Sequence, residues 1–420
     1  MYQKTVLPNG LRLITSTMPH THSISISIFI GVGSRYEDQV EMGISHFIEH
    51  LCFKGTQRRA TAKEICETIE GVGGVLNGGT DKELTIYWCK VARPHFPLAV
   101  DMLEDMLRHS RFDPVDIEKE RQVIIEEISM SLDSPQERAD VLIDDLWWPD
   151  QPLGRDVIGT KETVATITHP MMLDYFSRHY LSNNVVISIA GDITHQEVED
   201  SLSAAFSNWA NDSLQPYHPA NDAQQSPRLY IEHRDTEQVH LCLAVRGLST
   251  THPDRFILDL LNVVLGEGMS SRLFTEIREK RGLAYAIHSH TSHFHDTGSV
   301  TIYAGVDPQQ IETAIVAILH ELSRIKDRVP EPELSKAKEL SKGRLLLRME
   351  DTRTVAIWTG GQELLTGRIL TVDEVASLID AITAEELQRV AQGLLATGNL
   401  NLTAVGPIHN EEHLEELLKF

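Results

Sequence analysis

Two segments of the chain recur at one constant spacing. The alternating stretch Ile24–Ile30 matches Val239–Val245, and the apolar stretch Asn184–Ile193 matches Asn399–Ile408, so both matches lie 215 residues apart, from 24 to 239 and from 184 to 399. Strict alternation of apolar and polar side chains is typical of a half-buried strand. Self-similarity at one fixed offset indicates duplication, so the repeat predicts two homologous halves.

The boundary between the halves is marked by a change in composition. Residues 213–227 are rich in Pro, Asn, Gln and Ser and show no apolar periodicity, which predicts a linker between a first half at 1–212 and a second half at 228–420. In each half strands are grouped with long amphipathic runs, without strict strand–helix alternation. This order predicts an α+β fold in which each half is a mainly antiparallel sheet packed with helices.

Charge and hydropathy exclude several classes of partner. The 420 residues include 38 basic and 61 acidic side chains, a net charge of −23, which is opposite to the basic surface that nucleic acid requires. Such a charge suits solubility, and it also suits cationic peptides. No apolar run reaches the roughly 18 residues that span a bilayer, and the first residues do not resemble a signal peptide. We therefore expect a soluble, cytoplasmic protein with no membrane partner.

Cysteine usage argues against a disulfide framework. The chain has four cysteines and no CxxC pair, so a thiolate zinc site is not indicated either.

A different metal-binding pattern stands at 46–50, where the sequence reads His-Phe-Ile-Glu-His. On a helix, His46 and His50 project from one face, as two imidazoles that grip one zinc ion must. Glu49 lies on the same face, where a carboxylate can take a proton from water activated by the metal. The alternative is an amphipathic helix with two solvated histidines.

A catalytic zinc usually takes a third protein ligand. The acidic run at 116–130 reads as a helix that offers Glu120, Glu126 and Glu127. Glu120 and Glu127 lie two turns apart on one face, whereas Glu126 points about 100° away. The simpler reading of such a run is a solvated helix face.

The His-x-x-Glu-His pattern resembles the inverted zinc motif of the inverzincins, the superfamily of pitrilysin, insulin-degrading enzyme and the mitochondrial processing peptidase. The sequence Phe-Lys-Gly-Thr at 53–56 is similar to the processing-peptidase β subunit, as are the residues of the Glu120–Glu127 segment. The resemblance covers essentially the whole chain. It implies a zinc endopeptidase that cuts unfolded or short peptides in a chamber closed by clamshell halves, with one Zn²⁺ per chain.

The resemblance also implies roles for further residues. Glu127 is the third zinc ligand, and Glu120 is a nearby acid that supports catalysis. In the second half, Arg281 and Tyr285 resemble the family's substrate-binding pair, which could donate hydrogen bonds to the scissile carbonyl. The alternative for this pair is an ordinary helix end with a buried tyrosine.

A sheet edge for the peptide is implied as well. The residues Asn77, Gly78, Gly79 and Thr80 resemble the strand to which an extended peptide adds. Many relatives carry Asn-Ala where this chain has Asn77-Gly78, so we expect a more flexible edge that binds peptides less tightly. Family members split between two subunits carry zinc on one chain and the Arg/Tyr pair on the other. A chain with both is expected to form a homodimer.

The repeat provides a test of which half binds metal. Adding 215 to the positions of His46, Glu49 and His50 gives Leu261, Val264 and Leu265, so the second half has no equivalent ligands. Four histidines between His288 and His295 allow a second metal site, although histidines on a hydrated wall are commoner. The rival to a peptidase is a non-catalytic core or scaffold subunit of a larger complex, but such relatives typically lack the intact site.

Overall fold

The computed structural model describes residues 2–408 and 411–419. The strands are β1 (Tyr2–Val6), β2 (Arg12–Thr17), β3 (Ser23–Ile30), β4 (Val75–Thr80), β5 (Thr85–Ala92), β6 (Val185–Gly191), β7 (Arg228–His233), β8 (Val239–Arg246), β9 (Ala284–His293), β10 (Gly298–Val306) and β11 (Asn401–Gly406). The α-helices are α1 (Ile44–Cys52), α2 (Ala62–Glu70), α3 (Phe96–His109), α4 (Pro114–Asp133), α5 (Pro135–Trp147), α6 (Lys161–Thr166), α7 (His169–His179), α8 (His195–Phe206), α9 (Arg255–Leu265), α10 (Ile311–Arg324), α11 (Glu331–Arg348), α12 (Thr352–Thr366), α13 (Val372–Ala381), α14 (Ala384–Leu394) and α15 (Glu411–Leu417).

The chain forms two compact units, each built around one sheet. The first unit comprises 1–129, 156–218 and 346–371, and the second comprises 130–155, 219–345 and 372–420. The predicted halves at 1–212 and 228–420 follow chain order. The compact units do not, because each takes up one segment from the other half of the chain.

The sheet of the first unit has six strands in the order β1-β2-β6-β3-β5-β4. Only β2 and β6 pair in parallel, and the other neighbours are antiparallel. The second unit has five strands in the order β7-β11-β8-β10-β9, again with one parallel pair, β7 with β11. The repeated strands β3 and β8 occupy equivalent places beside β6 and β11. The predicted α+β class with two homologous, mainly antiparallel sheets is therefore confirmed.

Each sheet is covered on one face by a helix from the other half of the chain. Helix α12 packs on β3 and β6 in the first unit, and α5 packs on β8 and β11 in the second. The two helices lie at equivalent positions of the repeat, since α5 begins at Pro135 and α12 begins at Thr352. The duplication thus extends to helices that have changed places between the units.

The expectation that β3 is half-buried is wrong, because its serine face is covered as well. Ser25 and Ser27 are fully buried, like the isoleucines between them. The Ser25 hydroxyl lies 2.8 Å from the hydroxyl of Thr352 on α12, and the Ser188 hydroxyl of β6 lies 2.8 Å from that of Thr359. Small polar residues therefore allow the helix to approach the sheet closely, and the hydroxyl groups of Ser25 and Ser188 stay hydrogen-bonded to it.

Helix α1 is fixed by apolar side chains and by one buried acid. Phe47, Ile48 and Leu51 are at most 1% exposed, which leaves the opposite face for polar groups. The Glu37 carboxylate is buried and accepts hydrogen bonds from the backbone nitrogens of Gly43 (2.8 Å) and Ser45 (2.9 Å). It thus satisfies free N–H groups at the start of the helix. Burial outweighs these bonds and raises the pKa of Glu37 to about 7.

None of the helices in 2–408 and 411–419 is both long and apolar enough to cross a membrane.

The raised pKa of Glu37 predicts a specific pH dependence of stability. An acid whose pKa is raised from 4.5 in the unfolded chain to about 7 in the folded protein contributes stability that is complete below pH 4.5. That contribution is lost as the pH rises through 7. As the pH rises from 5 to 8, we expect the free energy of unfolding of Glu37→Gln to increase relative to that of the unsubstituted protein, by up to about 3 kcal/mol.

Melting temperatures of both proteins across this pH range provide the measurement. Replacement of the exposed Glu70 by Gln is the matched control, because it removes one negative charge from the same unit without touching α1. A gap in melting temperature between Glu37→Gln and the unsubstituted protein that stays constant from pH 5 to pH 8 would contradict the prediction.

Candidate metal centre

One face of α1 carries three potential metal ligands close together. The donor atoms of His46, Glu49 and His50 all lie within 4.8 Å of one another, and the two imidazole centroids are 4.5 Å apart. In the described residues this is the one set of three or more His, Cys, Asp or Glu side chains with such spacing. The i, i+4 spacing that the sequence showed therefore produces converging side chains.

Helix α4 adds a carboxylate to this group. Glu127 Oε2 lies 3.8 Å from His46 Nε2 and 3.6 Å from His50 Nε2. Ligands of a tetrahedral zinc ion lie about 3.3 Å apart when the metal–ligand bonds are about 2.0–2.1 Å. The two distances from Glu127 to the imidazole nitrogens are thus only a few tenths of an ångström longer than zinc requires. Two imidazoles and one carboxylate are also a typical catalytic zinc set, with a fourth position left for water.

Glu120, on the same helix, contacts His50 from the other side. Its Oε2 lies 3.2 Å from His50 Nδ1, and its Oε1 accepts a bond from Lys54 Nζ at 2.8 Å. A carboxylate on Nδ1 directs Nε2 of the same ring toward a metal. Burial alone would raise the pKa of Glu120, but the hydrogen bonds from His50 and Lys54 outweigh burial and lower it. Glu120 is therefore placed to act through His50.

The two imidazoles differ in their environments. Burial, with a smaller contribution from neighbouring His50, lowers the pKa of His46 to about 4. Burial also acts to lower the pKa of His50, but its bond to Glu120 and the charges of Glu127 and Glu49 raise it overall. His46 Nδ1 is buried without a hydrogen-bond partner. A neutral His46 with Nε2 facing Glu127 is suited to bind a cation.

Glu49 lies between the imidazoles and the edge of the sheet. It is 8% exposed, and burial raises its pKa, partly offset by the charge of His50 and a bond from Thr80. Thr80 Oγ1 donates to Glu49 Oε2 at 3.5 Å. A carboxylate with a raised pKa, next to a metal centre, is suited to accept and return a proton.

Strand β4, which carries Asn77, Gly78, Gly79 and Thr80, is an edge strand of the first sheet. A Cβ atom on Gly78 would lie 2.8 Å from Glu49 Oε1, so glycine leaves the carboxylate its space. Gly78 and Thr80 thus adjoin Glu49. Asn77 is exposed, and a Cβ atom on Gly79 would meet only Ile86, at 3.9 Å.

Arg281 and Tyr285 belong to the second unit. Tyr285 is 76% exposed, which rules out the alternative of a buried tyrosine. The arginine that contacts its ring is Arg278, whose guanidinium lies 5.1 Å from the ring centroid. Sequence reasoning missed Arg278. Gly282 lies between residues 278 and 285 and has a φ of +62°, so the chain turns there. A glycine at this position was the sequence feature that could have indicated the turn.

Among the described residues of the second unit, His288, His290, His293 and His295 belong to no group of three or more closely spaced potential metal ligands. His293 uses both ring nitrogens, with Leu248 O at 2.7 Å and Asp259 Oδ1 at 2.9 Å. The rings of His288 and His290 are 6.4 Å apart. Leu261, Val264 and Leu265, which stand where the first half has its ligands, are buried in α9.

Comparison with known proteins identifies the family. Residues 12–161 match the family described as "Insulinase (Peptidase family M16)", and residues 166–341 match the "Peptidase M16 inactive domain". An uncharacterized zinc protease of Streptomyces coelicolor is 35% identical over 417 residues, which covers 98% of this chain and 90% of that protein. The uncharacterized zinc protease YmxG of Bacillus subtilis is also 35% identical, with 98% and 99% covered.

Solved structures share the fold across the whole chain. A protease from Helicobacter pylori superposes with a TM-score of 0.91 at 22% identity, covering 97% of this chain and 99% of that one. A chain of complex III2 from Candida albicans superposes with a TM-score of 0.86 at 19% identity, with both chains fully covered. From its sequence relatives across nearly its full length, this chain is a member of the M16 (insulinase) peptidase family.

Proposed function

We propose that this protein is a zinc-dependent endopeptidase that hydrolyses unfolded or short peptides. The observation that carries the proposal is the convergence of His46 Nε2, His50 Nε2 and Glu127 Oε2 beside the buried Glu49. The names of its relatives, which are zinc proteases, agree with this donor set. The proposed metal content is one Zn²⁺ per chain, held by these three residues.

When bound, zinc supplies Lewis-acid activation of water and of the peptide carbonyl. Glu49 accepts the proton of the attacking water and then delivers it to the leaving amine nitrogen. Burial raises the pKa of this carboxyl, and a raised pKa favours the return of the proton. Glu120 keeps the His50 ring oriented through Nδ1, so its role is to position His50.

The substrate is proposed to add to β4 as an extended strand. Strand β4 pairs with β5 on one side, and its other side is the edge of the sheet. An edge strand offers unpaired backbone groups at every second residue, which bind a peptide regardless of its sequence. The edge also ends at Thr80, beside Glu49, so a peptide on β4 would pass next to the proton-transferring group.

The second unit is proposed to contribute donors to the scissile carbonyl. Tyr285 is exposed, and Arg278 lies against its ring, with Arg281 as the candidate that the sequence suggested. We also propose a homodimer with an enclosed chamber. In it, the zinc ligands of one chain and the Arg/Tyr pair of its partner form one site. The rival, a scaffold subunit, has no need for a buried carboxylate beside two imidazoles. Metal content and peptide cleavage distinguish the two.

Glu49 and His50 are expected to separate catalysis from metal binding. Glu49→Gln keeps both imidazoles and Glu127, so it should retain one zinc ion per chain while kcat for peptide hydrolysis falls by about 10²–10⁴. His50→Ala removes a ligand and should lose zinc and activity together. Zinc analysis of the purified variants, with a quenched-fluorescence peptide assay, gives both quantities. Equal zinc loss in the two variants would overturn the assigned roles.

The two arginines of the second unit are expected to differ. Arg278→Ala removes the cation that lies over Tyr285 and should lower kcat/KM by about tenfold, whereas Arg281→Ala should have a smaller effect. Arg278→Lys is the matched control, because it keeps the charge. A larger fall in kcat/KM in Arg281→Ala than in Arg278→Ala would instead support Arg281, the arginine that the family resemblance implies.

Subunit mixing tests the proposed homodimer. Glu49→Gln is mixed with the triple variant Arg278→Ala/Arg281→Ala/Tyr285→Phe, which removes both candidate arginines together with the tyrosine hydroxyl, and each is first measured alone and expected to be nearly inactive. If sites are shared between chains, random exchange should restore about a quarter of normal sites, because half of the dimers are mixed and each has one intact site. Verified exchange without any recovery of activity would exclude shared sites.

A further inference from the structure

Two residues in the first part of the predicted linker are held against the first unit. Residues 211–216 are exposed, whereas Tyr217 and His218 are half-buried. Both belong to the first compact unit, in the segment 156–218. A flexible tether would leave them in solvent like their neighbours, so their burial calls for a physical explanation.

The explanation is a buried arginine. Arg35 is 0% exposed, and its Nη1 donates to Glu83 Oε1 at 2.5 Å. Its Nε donates to the backbone carbonyl oxygen of His218 at 2.9 Å, and its guanidinium lies 4.4 Å from the ring centroid of Tyr217. A guanidinium stays charged in proteins, so a buried one depends on such partners. The linker thus supplies a hydrogen-bond acceptor and a ring face to Arg35.

The segment around Arg35 holds the turn between β4 and β5. The backbone nitrogen of Ser34 donates to the carbonyl oxygen of Asp81 at 3.2 Å. The backbone nitrogen of Arg35 donates to the carbonyl oxygen of Lys82 at 2.9 Å. A Cβ atom on Gly33 would lie 1.9 Å from the carbonyl oxygen of Asp81, so the two backbones are in close contact. The Arg35–Glu83 ion pair fastens the side chains across the same contact.

This turn follows directly on Thr80, the residue of β4 that donates to Glu49. The contacts therefore run without a gap from Tyr217 and His218 to Arg35, then to the turn, and then to the strand beside Glu49. We infer that Tyr217 and the His218 carbonyl are positioning groups, which hold Arg35 so that the β4–β5 turn keeps Thr80 and the peptide-binding edge aligned with Glu49. The inference rests on the proposed peptidase function.

The test compares Tyr217→Ala with Tyr217→Phe. Alanine removes the ring from Arg35, whereas phenylalanine keeps it. Leu214→Ala is the matched control, since Leu214 lies in the same segment and is 44% exposed. Five quantities are measured for each protein: zinc content, kcat and KM for a fluorogenic peptide, the melting temperature, and amide hydrogen exchange of residues 33–36 and 80–86.

In Tyr217→Ala, exchange in these two segments should be faster by about tenfold, with a similar fall in kcat and with zinc content unchanged. Tyr217→Phe and Leu214→Ala should behave like the unsubstituted protein. The double variant Arg35→Met/Glu83→Met removes the ion pair without leaving either charge alone, and it should reproduce the effects of Tyr217→Ala.

Unchanged exchange and kcat in Tyr217→Ala would overturn the inference, as would equal effects in Tyr217→Phe. An effect on melting temperature alone would also overturn it, because a merely structural contact would produce that result. An unsubstituted protein that binds zinc but cuts no peptide would contradict the proposed function instead, and the exchange data would still report whether Tyr217 holds the turn.

Discussion

The packing of α12 on the first sheet is the constraint on which the candidate metal centre depends. The sheet carries α1 and the β4 edge, and its central strands β3 and β6 are buried on both faces. A Cβ atom on Gly360 of α12 would lie 2.2 Å from the Phe29 ring, so the helix backbone is in direct contact with the sheet. Glu363, 2% exposed, adds a salt bridge to Lys4 at 2.6 Å. The first unit therefore needs residues from near the end of the chain before its sheet is closed.

In the candidate metal centre, similar groups with similar burial differ in their hydrogen-bond partners. His46 and His50 are one turn apart, yet the pKa of His46 is lowered and that of His50 is raised, since only His50 has a carboxylate on Nδ1. Glu49 and Glu120 differ in the same way, because hydrogen bonds from His50 and Lys54 stabilise only the Glu120 carboxylate. In the proposed function, this helix pair supplies His46 as a neutral ligand, His50 as a ligand positioned by Glu120, and Glu49 as the acid that transfers the proton.

Within the described residues, the duplicated units differ at the positions of the candidate ligands, which lie together in the first unit only. In α9 the positions of the ligands are occupied by buried leucine and valine, so the helix packs its unit without a polar face. An apolar side chain at these positions gains burial without the cost of desolvating a carboxylate. The second unit carries different candidate groups, the exposed Tyr285 and the half-buried Arg278 that lies against its ring.

Much of this protein is determined locally by its sequence. The 215-residue repeat predicted two related α+β units, because the local pattern of one segment recurs in the other. Helical spacing placed His46, Glu49 and His50 on one face, because that arrangement depends only on residues close in the chain. Glu120 and Glu127 were likewise identified as sharing a face of α4. The edge position of β4, by contrast, was implied by the family resemblance and not by any local pattern.

What tertiary structure alone decided involves partners distant in the chain. The exchange of α5 and α12 reversed the expected exposure of the serines on β3, because the covering helix lies more than 300 residues away. The contact of the Arg278 guanidinium with the Tyr285 ring depends on how the chain turns between these residues. The contact of Tyr217 with Arg35 converted part of a predicted linker into a support for the β4–β5 turn. Periodicity records which residues share a face of one element, but a buried arginine or an exchanged helix depends on which distant element covers that face, and no local pattern encodes this.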